Sequence, residues 1–134
     1  MRARAIALGL LAFAALAGPA SAQPALQCGG ALKPWVVAEL FFGRTRVSEA
    51  NWTRFLATEI TPRFPDGLTV LEAKGQWRNP ATKAISRERS TVVTIAMPPG
   101  ADNDARLQQI VEAYKTRFRQ QSVGLIVRPA CVSF

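Results

Sequence analysis

Residues 107–118 read LQQIVEAYKTRF and carry the strongest periodic signal in the chain, on which the assignment of the fold rests. Apolar side chains recur every three or four residues, as on one face of an α-helix: Leu107, Ile110, Val111, Tyr114 and Phe118. The breaker PPGAD at residues 98–102 precedes this pattern. The apolar pattern after this breaker therefore predicts a helix that is capped by Asp102 or Asp104.

Four strands and one further helix are predicted around this segment. The strands cover residues 35–43, 68–77, 85–97 and 122–132, which are rich in β-branched and apolar residues. The other helix is expected to begin at a Ser48 cap and to carry an apolar stripe of Trp52, Phe55, Leu56 and Ile60. The order β-α-β-β-α-β is that of the ferredoxin-like sandwich. We therefore predict an α+β fold, with four antiparallel strands in one sheet and two helices on one face.

The segment ITPRFPDGLTVL at residues 60–71 joins the first helix to the second strand. Pro62 is expected to end the helix, because the residue before a proline disfavours the helical conformation. Arg63 and Asp66 are close enough in sequence to pair across the turn. We interpret the segment as a rigid structural turn, to which we assign Pro62, Arg63, Pro65, Asp66 and Gly67.

The first 22 residues have the pattern of a secretory signal peptide. Arg2 and Arg4 precede an apolar run, and Ala20-Ser21-Ala22 is a small-residue cleavage site, so we expect cleavage after Ala22. The apolar run is shorter than the roughly 20 residues of a membrane span, although an uncleaved anchor is the alternative. The chain is thus divided into a signal peptide (1–22), an N-terminal extension (23–34) and a single α+β domain (35–134). We expect export to the periplasm or the medium.

Two cysteines, Cys28 and Cys131, remain after this processing. An even number of cysteines in a small exported domain favours a disulfide. A fourth strand that runs antiparallel beside the first would bring Cys131 towards Cys28, so the topology and the disulfide support each other. The alternative is lipidation of Cys28, which would leave Cys131 as a free thiol. Gln27 stands where lipoprotein processing normally requires a small residue.

The composition excludes several classes of function. The chain has 17 basic and 9 acidic residues and no histidine. Its basic residues are dispersed, without an aromatic-basic motif, so we expect no nucleic-acid partner. The lack of histidine removes the commonest general base and metal ligand. Paired cysteines would also leave no thiol for a zinc site. We assign no catalytic residue, no metal and no cofactor.

Several motifs resemble those of one family of small exported bacterial proteins. They are FFG at residues 41–43, TPRFPDGLTVL at 61–71, GQWR at 75–78, the pair Arg87-Glu88, AYKTRFRQQSV at 113–123 and the terminal CVSF. The chain is similar to domain-of-unknown-function family 3574 over nearly all of the mature sequence. The resemblance implies neither an activity nor a site residue.

The open face of the predicted sheet is the first candidate surface. Alternation along the first strand places one set of side chains there: Trp35, Val37, Glu39 and Phe41. An apolar patch of this kind usually marks an interface or a groove. We expect a non-catalytic binding or assembly domain, with a homodimer as one arrangement and with Glu39 balanced by Arg87 or Arg89. The alternative is that the N-terminal segment covers this face.

A second surface is expected at the end of the sheet far from residues 60–71. It gathers side chains from three connections: Gly43, Arg44, Arg46, Gln76, Trp77, Arg78, Gln120, Gln121 and Ser122. Arginines beside a tryptophan and amides could bind an anionic sugar or carboxylate. The alternative function is thus a small enzyme or an anionic-ligand binder. Over both surfaces the ligand-binding candidates are Glu39, Arg44, Arg46, Gln76, Trp77, Arg87 and Gln120.

Overall fold

The computed structural model describes residues 25–134, which form a four-stranded antiparallel sheet with two helices on one face. The elements are β1 (Lys33–Gly43), α1 (Glu49–Phe55), a π-helical segment (Leu56–Ile60), β2 (Thr69–Arg78), β3 (Ile85–Met97), α2 (Asn103–Phe118) and β4 (Gly124–Val132). The strand order is β2-β3-β1-β4. The predicted ferredoxin-like α+β sandwich is confirmed. The predicted signal peptide and its cleavage site lie outside the described residues.

The hydrophobic core lies between the helices and one face of the sheet. Ala38, Leu40 and Phe42 of β1 are fully buried on this face. Opposite them on β3 stand Ile95, Val93 and Thr91, in register and also buried. From α2 four residues of the predicted stripe are buried, namely Leu107, Ile110, Val111 and Tyr114, and the fifth, Phe118, is half-buried against the core. No helix within residues 25–134 is long and apolar enough to cross a membrane.

The first helix ends at the expected place by a different mechanism. Thr61 keeps helical dihedral angles (φ −55°, ψ −42°), although a proline follows it. Its N–H donates to the carbonyl of Leu56 at 3.0 Å, which closes a π-helical turn. Pro62 has no N–H with which to continue the pattern. The helix therefore ends because a donor is missing, and Thr61 is not forced into an extended conformation.

The turn that follows has a different ion pair from the one expected. Arg63 does not pair with Asp66. Its Nη1 donates to the backbone oxygen of Glu59 at 2.7 Å and lies 3.1 Å from the Glu59 carboxylate. Glu59 lies one helical turn earlier, where a side chain four residues away is a natural partner. Gly67 adopts φ 132°, which favours glycine, and the turn leads directly into β2 after it.

The ends of β1 and β4 bring the two cysteines together. The strands pair antiparallel, with Pro34 opposite Cys131. Cys28 and Cys131 are bonded, with their Cα atoms 5.6 Å apart. This pairing agrees with the disulfide favoured from the sequence. Pro129 is accommodated because β4 is an edge strand.

Candidate functional site

The open face of the sheet carries large apolar side chains that reach solvent. Phe41, Leu71 and Ile126 are 37%, 56% and 47% exposed. Leu71 and Phe41 flank Val92 in one row across three strands, and Ile126 lies one row further along, opposite Glu39. The alternation predicted for β1 therefore places Phe41 and Glu39 on the face away from the helices.

Glu39 has a different partner from the one predicted. Its carboxylate accepts a hydrogen bond from Arg128 of β4, and this bond raises the pKa of the Arg128 guanidinium. Arg87 and Arg89 cannot reach Glu39, because Thr94 is its neighbour on β3 and both arginines lie near the other end of that strand. Alternation also places them on the helix side of the sheet.

A groove of about 1060 Å³ lies at the Trp77 end of the open face. It brings together four of the predicted ligand-binding residues, namely Arg46, Gln76, Trp77 and Gln120. Its floor consists of small residues from all four strands: Gly43, Gly75, Ser86, Ser90 and Gly124. Trp77, which is 46% exposed, and Phe41 supply aromatic surface. The surface expected at this end of the sheet is thus a concave site.

Glycine at two floor positions allows the close packing around the groove. A Cβ atom at Gly43 would lie 3.0 Å from both carboxylate oxygens of Glu88. A Cβ atom at Gly124 would lie 3.2 Å from the Cβ atom of Phe41. Any larger residue at position 43 would displace the Glu88 side chain. Glu88 consequently lies across the sheet, where it lines the groove.

The charged residues of the groove differ in how they are paired. The Glu88 carboxylate accepts a hydrogen bond from the Thr45 hydroxyl and makes no ion pair within residues 25–134. Arg117 pairs with Glu59 at 2.6 Å. Arg46 and Arg119 make neither an ion pair nor a side-chain hydrogen bond to any other described residue. One carboxylate and two guanidinium groups are therefore available to a ligand.

Gln120 has a positioning role in the groove. Its Nε2 donates to the backbone oxygens of Thr45 and Phe118, at 3.3 and 3.4 Å. These bonds tie the connection after β1 to the end of α2. Gln120 therefore helps to set the distance between the two sides of the groove.

Arg44 does not line the groove, contrary to expectation. It is 3% exposed and lies on the helix side of the sheet. Its Nη1 donates to Thr91 Oγ1 at 2.9 Å, and its Nη2 lies 3.0 Å from Glu49 Oε2. The guanidinium also lies 4.8 Å from the ring centroid of Trp52. Arg44 follows Gly43 at the end of β1, and continued alternation directs it towards the core.

Around Arg44 lies an ionic cluster, which we call the Arg44 cluster: Arg44, Glu49, Glu72, Arg89 and Thr91. Arg89 Nη2 lies 3.3 Å from Glu49 and 3.4 Å from Glu72. Hydrogen bonds from Arg44 and then Arg89 lower the pKa of the Glu49 carboxyl. The cluster joins α1 to β2, to β3 and to the residue that follows β1, and has a structural role. Among the described residues, no group of three or more His, Cys, Asp or Glu side chains could hold a metal ion.

A family model described as "Protein of unknown function (DUF3574)" matches residues 37–134. The chain belongs to this family. The match confirms the resemblance carried by the motifs from FFG to CVSF. No curated protein matches this DUF3574 chain significantly in sequence.

Solved structures resemble the DUF3574 chain in fold. The phage SAM lyase in complex with S-methyl-5'-thioadenosine is 14% identical, with a TM-score of 0.56, and the match covers 84% of this chain and 97% of that one. CutA1 from Oryza sativa is 11% identical, with a TM-score of 0.50 and coverage of 78% and 87%. CutA from Synechococcus elongatus PCC7942 complexed with Bis-Tris is 9% identical, with a TM-score of 0.50 and coverage of 76% and 87%. At these identities the likeness concerns the fold alone.

Sequence reasoning did not select Glu88 and Ser90, which the structure of the DUF3574 chain places in the groove. A signal for them was present in the alternation of Ser86, Glu88 and Ser90 along β3. Their neighbours, Gly75 opposite Glu88 and Gly43 opposite Ser90, depend on strand register. Register between distant strands has no local signature in the sequence, so the small-residue floor could not be assembled from it.

Proposed function

We propose that this DUF3574 chain is a non-catalytic, exported assembly domain that pairs with a second copy of itself through the open sheet face. The observation that carries the proposal is the exposure of Phe41, Leu71 and Ile126 on one face, while the other face is buried under the helices. Contiguous apolar surface of this kind favours burial against a partner. A cysteine pair at disulfide distance is consistent with an oxidising compartment and hence with export.

The charges on this face favour a second copy as the partner. Glu39 and Arg128 lie side by side among the apolar residues and carry opposite charges. In a two-fold pairing each subunit presents the same patch, so an acidic and a basic group can meet their opposites across the interface. A self-complementary face therefore needs no other protein.

Light scattering coupled to gel filtration tests the assembly. The oxidised, exported protein should elute as a dimer, and Leu71→Glu combined with Ile126→Glu should shift it to a monomer because two charges would enter the buried patch. Ile85→Glu is the matched control, since Ile85 is 54% exposed but lies on the helix side of β3, near its start. A wild-type protein that stays monomeric at high concentration would refute the proposal.

A second candidate function is the binding of an anionic ligand in the groove. It is favoured by one specific observation, which is that Arg46 and Arg119 line the groove beside Trp77 without partners in the described part of the chain. Guanidinium groups bind carboxylates through paired hydrogen bonds. An aromatic ring on the ligand could pack against Trp77. This candidate does not require self-association.

A further inference from the structure

The groove contains charges of both signs that do not neutralise each other. The Glu88 carboxylate lies over the floor at Gly43, and Arg46 and Arg119 line the same space. No ion pair joins Glu88 to either arginine. A purely anionic ligand would use the arginines but would be repelled by the carboxylate. The arrangement therefore matches a ligand that carries both charges.

Glu88 is held in place with most of its hydrogen-bonding capacity unused. One of its oxygens accepts from the Thr45 hydroxyl, and the carboxylate lies over Gly43. An ionised carboxylate has about four acceptor sites, so several remain for a ligand. A carboxylate positioned in this way is a natural partner for an ammonium group.

We propose that the groove binds a small zwitterion of the amino-acid class. The ammonium group contacts Glu88, the carboxylate faces Arg46 and Arg119, and an apolar side chain lies against Trp77 and Phe41. This inference rests on ligand binding at the groove, the second candidate function, and adds to it the requirement for a positive charge. The glycines of the floor let the ammonium group approach the level of the sheet.

Three matched probes separate the two charges. L-Phenylalanine carries both, N-acetyl-L-phenylalanine lacks the ammonium group, and L-phenylalanine methyl ester lacks the carboxylate. Isothermal titration of the oxidised protein should show that L-phenylalanine binds about tenfold more tightly than either derivative, since each lost charged hydrogen bond contributes about 1.5 kcal/mol or more.

Charge-removing variants assign each group to its partner. Glu88→Gln keeps the acceptor for Thr45 and should weaken L-phenylalanine about tenfold. It should not weaken N-acetyl-L-phenylalanine, because the lost carboxylate charge repelled that anion. Arg46→Gln with Arg119→Gln should weaken L-phenylalanine and should not weaken the methyl ester, because the lost guanidinium charges repelled that cation. Asp66→Asn and Arg54→Gln remove the same charges outside the groove and should have no effect.

The possible outcomes distinguish this inference from the proposals on which it builds. If N-acetyl-L-phenylalanine binds as tightly as L-phenylalanine and Glu88→Gln has no effect, the anionic site stands and the zwitterion inference is wrong. If no probe binds at millimolar concentration, both are wrong. Self-association is measured separately, so neither result decides it.

Discussion

A single hydroxyl group connects the core of the molecule to the floor of the groove. Tyr114 is fully buried, and its ring packs against Phe42 and Phe118 at centroid distances of 4.7 and 4.8 Å. Its hydroxyl donates to the backbone oxygen of Gly43 at 2.8 Å. Gly43 is the residue over which the Glu88 carboxylate lies. Tyr114 therefore fixes the end of β1 from below the sheet.

Burial raises the pKa of Tyr114 to about 12, from an ordinary value of 10.0. The unfolded chain therefore loses this proton at a lower pH than the folded chain. The associated stability is fully present below about pH 10 and is lost as the pH rises through about 12. Tyr114 is the sole tyrosine, so an ultraviolet titration reports this group directly. A midpoint near 10 would contradict the expected shift.

Tyr114→Phe supplies the control for this titration. It removes the hydroxyl and keeps the ring, so the free energy of unfolding should fall by about 1 kcal/mol at neutral pH. The fall in stability between pH 10 and 12 should become shallower in this variant than in the wild-type protein. An unchanged slope would show that other groups cause the alkaline loss.

The Arg44 cluster joins one helix, α1, to the sheet through charged side chains. Arg44 side-chain atoms have no exposure, whereas those of its partners Glu49 and Glu72 are 66% and 57% exposed. The guanidinium is thus the buried centre of a network whose carboxylates reach water. It links the start of α1 to β2 and, through Thr91, to β3.

Arg44→Ala should lower the free energy of unfolding by about 2–3 kcal/mol, which urea denaturation measures. This value lies below the 3–5 kcal/mol typical of a broken buried pair, because water solvates the remaining carboxylates. Arg54→Ala removes an exposed arginine and should change stability by about 0.5 kcal/mol or less. Arg44→Lys should recover only part of the loss, because an ammonium group cannot make the paired contacts of the planar guanidinium. Equal losses in Arg44→Ala and Arg54→Ala would show that the network adds nothing.

The strands and helices could be predicted because their apolar residues follow regular periods. β3 has the predicted bounds, while β1 and β4 each begin two residues from the predicted start. The π-helical segment was not predicted, because it differs from an α-helix only in the backbone hydrogen bonds, in which each N–H donates to the carbonyl five residues earlier instead of four. It has no side-chain pattern of its own. Arg44 was placed on the surface because charged residues at strand ends are usually solvated. Its burial depends on Glu49, Glu72 and Thr91, which lie on α1, β2 and β3 and come together only in the folded structure.

The disulfide closes nearly the whole described chain into one covalent loop. Cys28 and Cys131 are 103 positions apart. In the chain-entropy model a bridge over a loop of this length restricts the unfolded chain by about 4–5 kcal/mol. The native fold already brings these residues together, because Pro34 pairs with Cys131 at the end of the β1–β4 ladder. The bond therefore acts mainly on the unfolded state.

Cys28→Ser with Cys131→Ser should lower the free energy of unfolding by about 4 kcal/mol, measured by urea denaturation. Wild-type protein treated with a reductant should show the same loss, because the same bond is broken. The double variant should not respond to the reductant, which provides the control. A variant as stable as the oxidised wild type would show that the unfolded chain is already compact.

The same bond determines how the domain would respond to mechanical force. Cys28 and Cys131 are joined covalently where β1 begins and β4 ends. Tension applied to the chain on the outer sides of these two residues passes from one cysteine to the other through the bridge. The backbone hydrogen bonds between β1 and the part of β4 before Cys131 therefore carry none of that load. An oxidised domain tethered at both ends should stay folded under a tension that unfolds the reduced domain.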